Sequence, residues 1–309
     1  MKYILYNPKA NNENNDLKIK YETGEPERAT VQKICLIGLE VREFAKTLTQ
    51  DDRVILCGGD GTICHFANDA YGIDFPCPIC VIRSGTGNDF LNDIGQLDNK
   101  RLIDVRGYFK NLPIVEVNGK KLHYINGVGF GLDGEVCKEA DKIKAKSNKK
   151  INYTAIALEQ LAYKYKKPNA KVTIDGVTRE FKDVWIASAM KGRYYGGGMM
   201  VSPTQDRTSG KLSIMVMHGG SRLKVLTIFP GIFKGKHIKH KEIVEIFEGY
   251  NVTVEFDRIC ALQIDGETEL DVKSYTSYCE GYENYKINDI ENGEALDEIQ
   301  ECLEGSLPV

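Results

Sequence analysis

Gly58-Gly59-Asp60-Gly61-Thr62 is the stretch of this sequence with the clearest chemical character. Glycines let a backbone approach a polyphosphate closely, and a helix that starts at such a turn offers unpaired N–H groups and the positive end of its dipole. A carboxylate there repels phosphate unless a cation intervenes. Asp60 therefore reads as a handler of Mg-ATP or as a group polarising an acceptor hydroxyl, and Thr62 as a residue able to cap the helix and donate to a phosphate. A second polar glycine loop, Ser84-Gly85-Thr86-Gly87-Asn88-Asp89-Phe90, follows. Two such loops at neighbouring strand ends suit one ligand held between them. Neither matches GxxxxGK[ST] or the dinucleotide spacing, which argues against a P-loop NTPase and a Rossmann site. Taken singly, either loop is also a plain tight turn. Asp265-Gly266-Glu267 brings two more carboxylates together, although Asp-Gly between strand-like runs is the ordinary hairpin signal. Tyr194-Tyr195-Gly196-Gly197-Gly198 reads as a flexible strand end or as close backbone approach to a cleft.

These loops need a rigid frame. Residues 3–5 and 54–57 are short apolar runs ending in Asn7-Pro8 and Gly58-Gly59, the pattern of buried parallel strands stopped by loops. A strand is expected at 31–37, a short helix at 41–48, a helix carrying Ile63, Phe66, Ala67 and Ala70, and a strand at 78–82. That is an open α/β arrangement. Near residue 111 the character changes. Runs at 112–117 and 121–125 flank Asn118-Gly119, and runs at 172–174 and 178–181 flank Asp175-Gly176, both hairpin signals. Further strands are expected at 184–189, 211–217, 252–256 and 261–264, with helices at 151–165 and 222–233. The expected fold class is α/β plus β: an open α/β nucleotide domain over 1–111 and an antiparallel β-sandwich domain over 112–284, with the acidic tail 285–309 packing back on the first. Segment 11–16 is polar enough for a mobile loop.

In chain order, Asn7-Pro8, GGDGT at 58–62, GTGNDF at 85–90, GVGFGLDGE at 127–135, YYGGG at 194–198 and DGE at 265–267 resemble the diacylglycerol kinase catalytic family, which includes bacterial lipid kinases and the sphingosine kinases. GGDGT is shared with NAD kinases and phosphofructokinases; GTGND and the distal DGE point to the lipid-kinase branch. The resemblance implies an NAD kinase/phosphofructokinase-like nucleotide domain, a β-sandwich and an active cleft between them. It implies ATP and Mg²⁺ as cofactors, with nucleotide contacts at Asn7, Gly58, Gly59, Asp60, Gly61, Thr62, Gly85, Thr86 and Asn88. Asp89 would sit near the acceptor and Glu267 would be the general base. Chemically, a carboxylate within hydrogen-bond reach takes the hydroxyl proton while Mg²⁺ spreads charge on the transferring phosphoryl group. Asp60 competes for the base role, but ranks first for nucleotide and metal. The chain departs from the family at Ser209, where an acid is usual in a loop that holds a structural metal in bacterial members; Asp206 is the residue placed to compensate. Arg83-Ser84 replaces a usual proline, and Asn92 a frequent arginine.

Lys+Arg 41 against Asp+Glu 44 gives a net charge of −3, so nothing global argues for nucleic acid, and any electrostatic attraction is local. Two basic runs, KIKAKSNKK at 142–150 and KGKHIKHK at 234–241, are candidates for docking on anionic lipid headgroups, each with a solvated charged face as the plainer reading. No spanning segment or export signal is evident, which points to a cytoplasmic protein, peripheral at the membrane; a homodimer stays open. The nine cysteines then read as reduced thiols, with Cys77 and Cys80 in a buried strand and not in a metal pair. The activity expected is ATP-dependent phosphorylation of a lipid hydroxyl, on diacylglycerol or a related amphiphile. Two other readings stay open: a soluble-substrate kinase of the NAD kinase/phosphofructokinase type, and a non-catalytic nucleotide- or lipid-binding protein, motivated by the Ser209 loop.

Overall fold

The structure, a computed structural model, describes residues 1–8, 31–83, 87–97, 102–146 and 151–279. Segment 11–16, Gly85, Thr86 and the tail 285–309 lie outside the described residues.

The first part is a parallel sheet of four strands, β1 (Lys2–Tyr6), β2 (Val31–Cys35), β3 (Arg53–Gly58) and β4 (Ile79–Arg83), in the order β2-β1-β3-β4. Three helices go with it: α1 (Val41–Lys46), α2 (Asp60–Asp69) and α3 (Asp89–Asp93). Val54 to Cys57 are buried without alternation, as expected of a strand covered on both faces. One face carries Leu5, Val54, Leu56, Ile63, Phe66 and Phe90; the other carries a smaller cluster of Ile4, Ile55, Cys57 and Ile82. Register places Tyr6 beside Cys57 and Cys57 beside Ile82, so the loops after β1, β3 and β4 leave the sheet at one edge. Strand order reverses between β1 and β3, which opens a crevice at that edge. Cys77 and Cys80 are buried free thiols in the core.

The second part is antiparallel. Its strands are β5 (Pro113–Val117), β6 (Lys120–His123), β7 (Gly127–Gly131), β8 (Ala170–Ile174), β9 (Val177–Phe181), β10 (Val184–Met190), the short pair β11 (Tyr194–Tyr195) and β12 (Met199–Met200), β13 (Leu212–His218), β14 (Val244–Gly249), β15 (Asn251–Ile264) and β16 (Glu267–Cys279). Residues 252–256 and 261–264, expected as two strands, form the single strand β15. Its register with β16 slips between Glu255 and Cys260, and there it changes its other neighbour from β8 to β7. The polar Asp257-Arg258 lies within this irregularity. One strand therefore serves both layers of a sandwich, whose shared core contains Phe130 stacked on Phe256 at 4.0 Å together with Val172, Val216 and Tyr275.

Helices α4 (Leu132–Lys146), α5 (Tyr153–Glu159) and α6 (Arg222–Ile228) belong to a second apolar cluster built on Trp185, Met190 and Met215. The helix expected over 151–165 continues past α5 only as a π-turn, and that over 222–233 turns into a 3₁₀ segment at Phe229, where Pro230 removes an amide donor. Helix α4 escapes the sequence reading because its first turn belongs to a glycine-rich motif. Gly134 lets it lie against β15: a Cβ there would drive into the carbonyl of Ala261. Gly134→Ala forces α4 off the sheet and is expected to cost about 1–3 kcal/mol, read as a lowered urea midpoint with an unchanged slope.

Candidate active site

The edge of the parallel sheet meets the sandwich around four carboxylates, and each is set by its backbone. β3 ends at Gly58, and Gly59, in extended conformation, is the cap residue of α2. Thr62, expected as a cap, instead lies buried over Gly58, where any Cβ would collide with its side chain. Nothing lies within 4 Å of where a Cβ on Gly61 would point, so the outer surface of the turn is open.

Asp60, the first residue of α2, reaches across to α3. Its Oδ2 accepts the amide of Asp89 at 3.0 Å and its Oδ1 the amide of Phe90 at 2.9 Å. Asn88 precedes α3 in the left-handed region at φ 54° and makes no side-chain cap, so Asp60 supplies the missing acceptor for the helix end. The side-chain amide of Asn126 adds a long third contact to Asp60 Oδ1 at 3.4 Å. Asp89 makes the next link. Its Oδ2 accepts from the amide of Gly197 at 2.8 Å and its Oδ1 from Gly198 at 2.6 Å. Gly196, Gly197 and Gly198 all hold positive φ, which presents both amides to one carboxylate. A Cβ on Gly87 would stand 2.9 Å from Asp60 Oδ2 and 3.4 Å from the Gly197 Cα, so this junction needs glycine at 87. Burial, then the charge of Asp60, push the Asp89 carboxyl up to about 7, against the two glycine amides that pull it down.

Asp265 and Gly266 are indeed the β15–β16 hairpin turn, with φ of 47° and 93°. The Asp265 carboxylate also accepts the amides of Ile125 at 2.5 Å, Asn126 at 2.9 Å and Gly127 at 2.9 Å. Burial raises its pKa while these amides, and a bond from the Cys64 thiol on α2, lower it. Cys64 is held well above the usual thiol range, first by burial and then by Asp265, Glu267 and Asp60. Glu267 is exposed at the start of β16, on the far side of the turn from Asp265, and within electrostatic reach of α2.

The sequence reading missed three pairings. Asp93, at the end of α3, is buried between two arginines of the second part: Arg207 Nε donates at 2.6 Å and Arg193 Nε at 2.9 Å. Tyr195 donates its hydroxyl to Asp133, which burial pushes up to about 7, and so ties the strand before the glycine turn to the start of α4. These pairs span 100, 114 and 62 residues, so no local spacing betrays them. Among the expected nucleotide residues, Asn7 follows β1 at the same sheet edge and Asn88 is fully buried, while Gly85 and Thr86 are outside the described residues. Asp206 stands apart: its Oδ1 accepts from the amide and hydroxyl of its own loop's Thr208, at 2.8 and 2.7 Å, which also keeps its pKa low. A cavity of about 500 Å³ bordered by Asp74, Asp104 and Arg106 lies by the opposite, amino end of β4 and takes no part in this site.

The donor chemistry near α2 fits a nucleotide-borne magnesium ion, which takes one or two carboxylates alongside phosphates. A carboxylate has about four lone-pair sites, and three donors meet Asp60 while two meet Asp89. Both keep capacity for a further partner.

An α/β crevice faced by a sandwich and lined with carboxylates and open glycine turns defines a class of phosphoryl-transfer fold. Residues 2–106 match the diacylglycerol kinase catalytic domain and residues 126–277 the YegS C-terminal NAD kinase beta sandwich-like domain. Across these two matched regions the chain is similar to the diacylglycerol kinase catalytic-domain family. It is 29% identical over 227 residues to a diacylglycerol kinase of Mycobacterium tuberculosis strain H37Rv, covering 68% of this chain and 72% of the other. It is 23% identical over 274 residues to the Bacillus subtilis diacylglycerol kinase, covering 85% and 88%. The fold superposes on the crystal structure of a diacylglycerol kinase from Bacillus anthracis strain Sterne with a TM-score of 0.59, 17% identity, and coverage of 91% of this chain and 94% of that one.

The Asp89 carboxyl binds its proton more tightly folded than unfolded, so its contribution to stability is present at low pH and is lost as pH rises from about 4 to about 7. Asp89→Asn is expected to flatten that part of the stability–pH curve of the ligand-free protein, measured by urea unfolding at pH 5.5 and 8. An unchanged curve would mean that Asp89 does not titrate in this range.

Proposed function

We propose that the chain is an ATP-dependent lipid kinase that moves the γ-phosphoryl group of Mg-ATP to a lipid hydroxyl, on diacylglycerol or a related amphiphile. The observation that carries this reading is the chain of contacts that brings two parts of the sequence together at the glycine turn: Asp60 accepts the amides of Asp89 and Phe90, and Asp89 accepts those of Gly197 and Gly198. The open surface at Gly61 and the start of α2 offer backbone donors for phosphates. Asp60 and Asp89 would hold magnesium, which when bound spreads the negative charge of the transferring phosphoryl group. Asp265 is spent on the amides of 125–127 and serves to fix the hairpin. Glu267 has no such duty, faces solvent, and is the group left to take the hydroxyl proton. Glu267→Gln should lower turnover by about 10²–10⁴-fold with nucleotide affinity unchanged, measured as phosphate transfer from labelled ATP to diacylglycerol and a lipid panel. A variant as active as the parent removes Glu267 as the base. Turnover of NAD or fructose 6-phosphate with no lipid product would replace the lipid reading with the soluble-substrate one.

The acceptor side calls for a surface that meets a bilayer. Lys142 and Lys144, in the first basic run, are paired with Glu139 and Asp141 on their own helix, which supports a solvated face there. The second run is different. Glu242, which follows it, is paired with Lys224, and Lys234, Lys236, Lys239 and Lys241 form no ion pair among the described residues. Phe233, 39% exposed, adjoins these lysines, and the 3₁₀ segment Phe229–Lys234 that leads into them packs on β12, next to the glycine turn that holds Asp89. No helix among the described residues is long and apolar enough to cross a membrane. We read the 234–241 run as a peripheral contact for anionic lipid, worth on the order of 1 kcal/mol per lysine. Reversing Lys234, Lys236 and Lys239 to Glu should abolish sedimentation with phosphatidylserine vesicles at low salt; sedimentation equal to the parent would rule this surface out.

A further inference from the structure

The loop 203–210 is where the family resemblance implies a structural metal, and the donor set here does not suit one. Its single carboxylate, Asp206, is engaged by Thr208, and the Ser209 hydroxyl donates to the Asp206 carbonyl at 2.8 Å. A hard divalent ion asks for several convergent oxygens. What this loop sends inward is a cation of its own. Arg207, 8% exposed, donates from Nε to Asp93 at 2.6 Å, from Nη1 to the Ile125 carbonyl at 2.5 Å and from Nη2 to Asn126 Oδ1 at 3.1 Å, and its guanidinium lies 4.9 Å above the Phe90 ring. Gly192 makes room for it: a Cβ at 192 would strike the guanidinium.

We infer that Arg207 is a positioning residue that does with a fixed guanidinium what a structural cation would otherwise do: it locks the sandwich loop to α3 and, through Asn126, steadies Asp60. The path is continuous. Residues 125 and 126 give their amides to Asp265, while the Ile125 carbonyl and the Asn126 side chain accept from Arg207. Asn126 then donates to Asp60 at 3.4 Å, and α3, held at Asp93, carries Asp89. A guanidinium is the right group because its planar fork meets a carboxylate, a carbonyl and an amide oxygen at once, it keeps its charge at any working pH, and it has no dissociation equilibrium. Arg193 takes the other oxygen of Asp93, so that carboxylate is shared by two arginines and stays satisfied.

Three measurements test this, and only the last rests on the lipid-kinase reading. Melting of the parent without nucleotide should be the same, within about 1 °C, in EDTA and in excess magnesium chloride; a clear fall in EDTA would restore the metal and overturn the inference. Hydrogen exchange in peptides covering 123–128 and 193–200 should quicken on the order of tenfold in Arg207→Met and less in Arg207→Lys, whereas parent-like exchange in Arg207→Met would overturn it. If Arg207→Met does not fold, Asp93→Asn, which keeps the arginine and its carbonyl bond, is the variant read, with the same expectation. In turnover, Arg207→Met should lose about a hundredfold in kcat while the nucleotide KM moves by less than about threefold, and added guanidinium ion should restore part of the loss. A KM-only effect without rescue would make Arg207 merely structural. A parent with no kinase turnover would count against the proposed activity alone, and the melting and exchange arms would still decide the role of Arg207.

Discussion

The site depends on one polar contact, the carboxylate of Asp89 against the amides of Gly197 and Gly198. A buried carboxylate is costly unless each oxygen finds a donor. Here the donors come from the other part of the chain and are presented only because three consecutive glycines adopt positive φ. Apolar clusters close within each part, one around Phe66 and others around Phe130 and Trp185, and Ile125 of the second part packs into the first of them. To that burial the bonds to Asp89 and Asp93 add direction across the junction. A junction of this kind gives a crevice a defined shape without filling it.

Much of the frame is legible in the sequence because its causes are local. Unbroken apolar runs followed by glycine announce β1, β3 and β4, and Asn-Gly and Asp-Gly announce the hairpins. The glycine loops are legible for the same reason, since glycine is required where Thr62 covers residue 58 and where Asp60 crowds residue 87. What fails is whatever depends on distance along the chain. Asp93 with Arg193 and Arg207, and Asp133 with Tyr195, are ordinary charged and aromatic residues until folding brings them together. The split of β15 into two strands fails differently, because a slip in register looks like a loop when only polarity is read. Thr62 shows the limit of motif reading: its type suits a cap, but close packing over Gly58 claims it.

Asp265 and Glu267 show how one turn separates two acids. The left-handed residues at its tip let Asp265 fold back over three main-chain amides while Glu267 leaves on the strand that follows. The first is held by three backbone amides, and the second leaves into solvent. The hairpin signal and the catalytic-motif signal at this tripeptide are therefore two aspects of one arrangement, since the turn produces the separation of roles.

The acids that surround Cys64 have an effect beyond phosphate chemistry. A thiol reacts with oxidants and electrophiles chiefly as its thiolate, and burial, followed by the charges of Asp265, Glu267 and Asp60, holds this proton in place. A half-buried cysteine one turn into the helix beneath the crevice would otherwise be a point of oxidative damage. Burial and the negative field that suits the site to a magnesium-bearing ligand together keep this sulfur protonated, so the fold can place a small, polarizable side chain there without making that thiol a ready nucleophile.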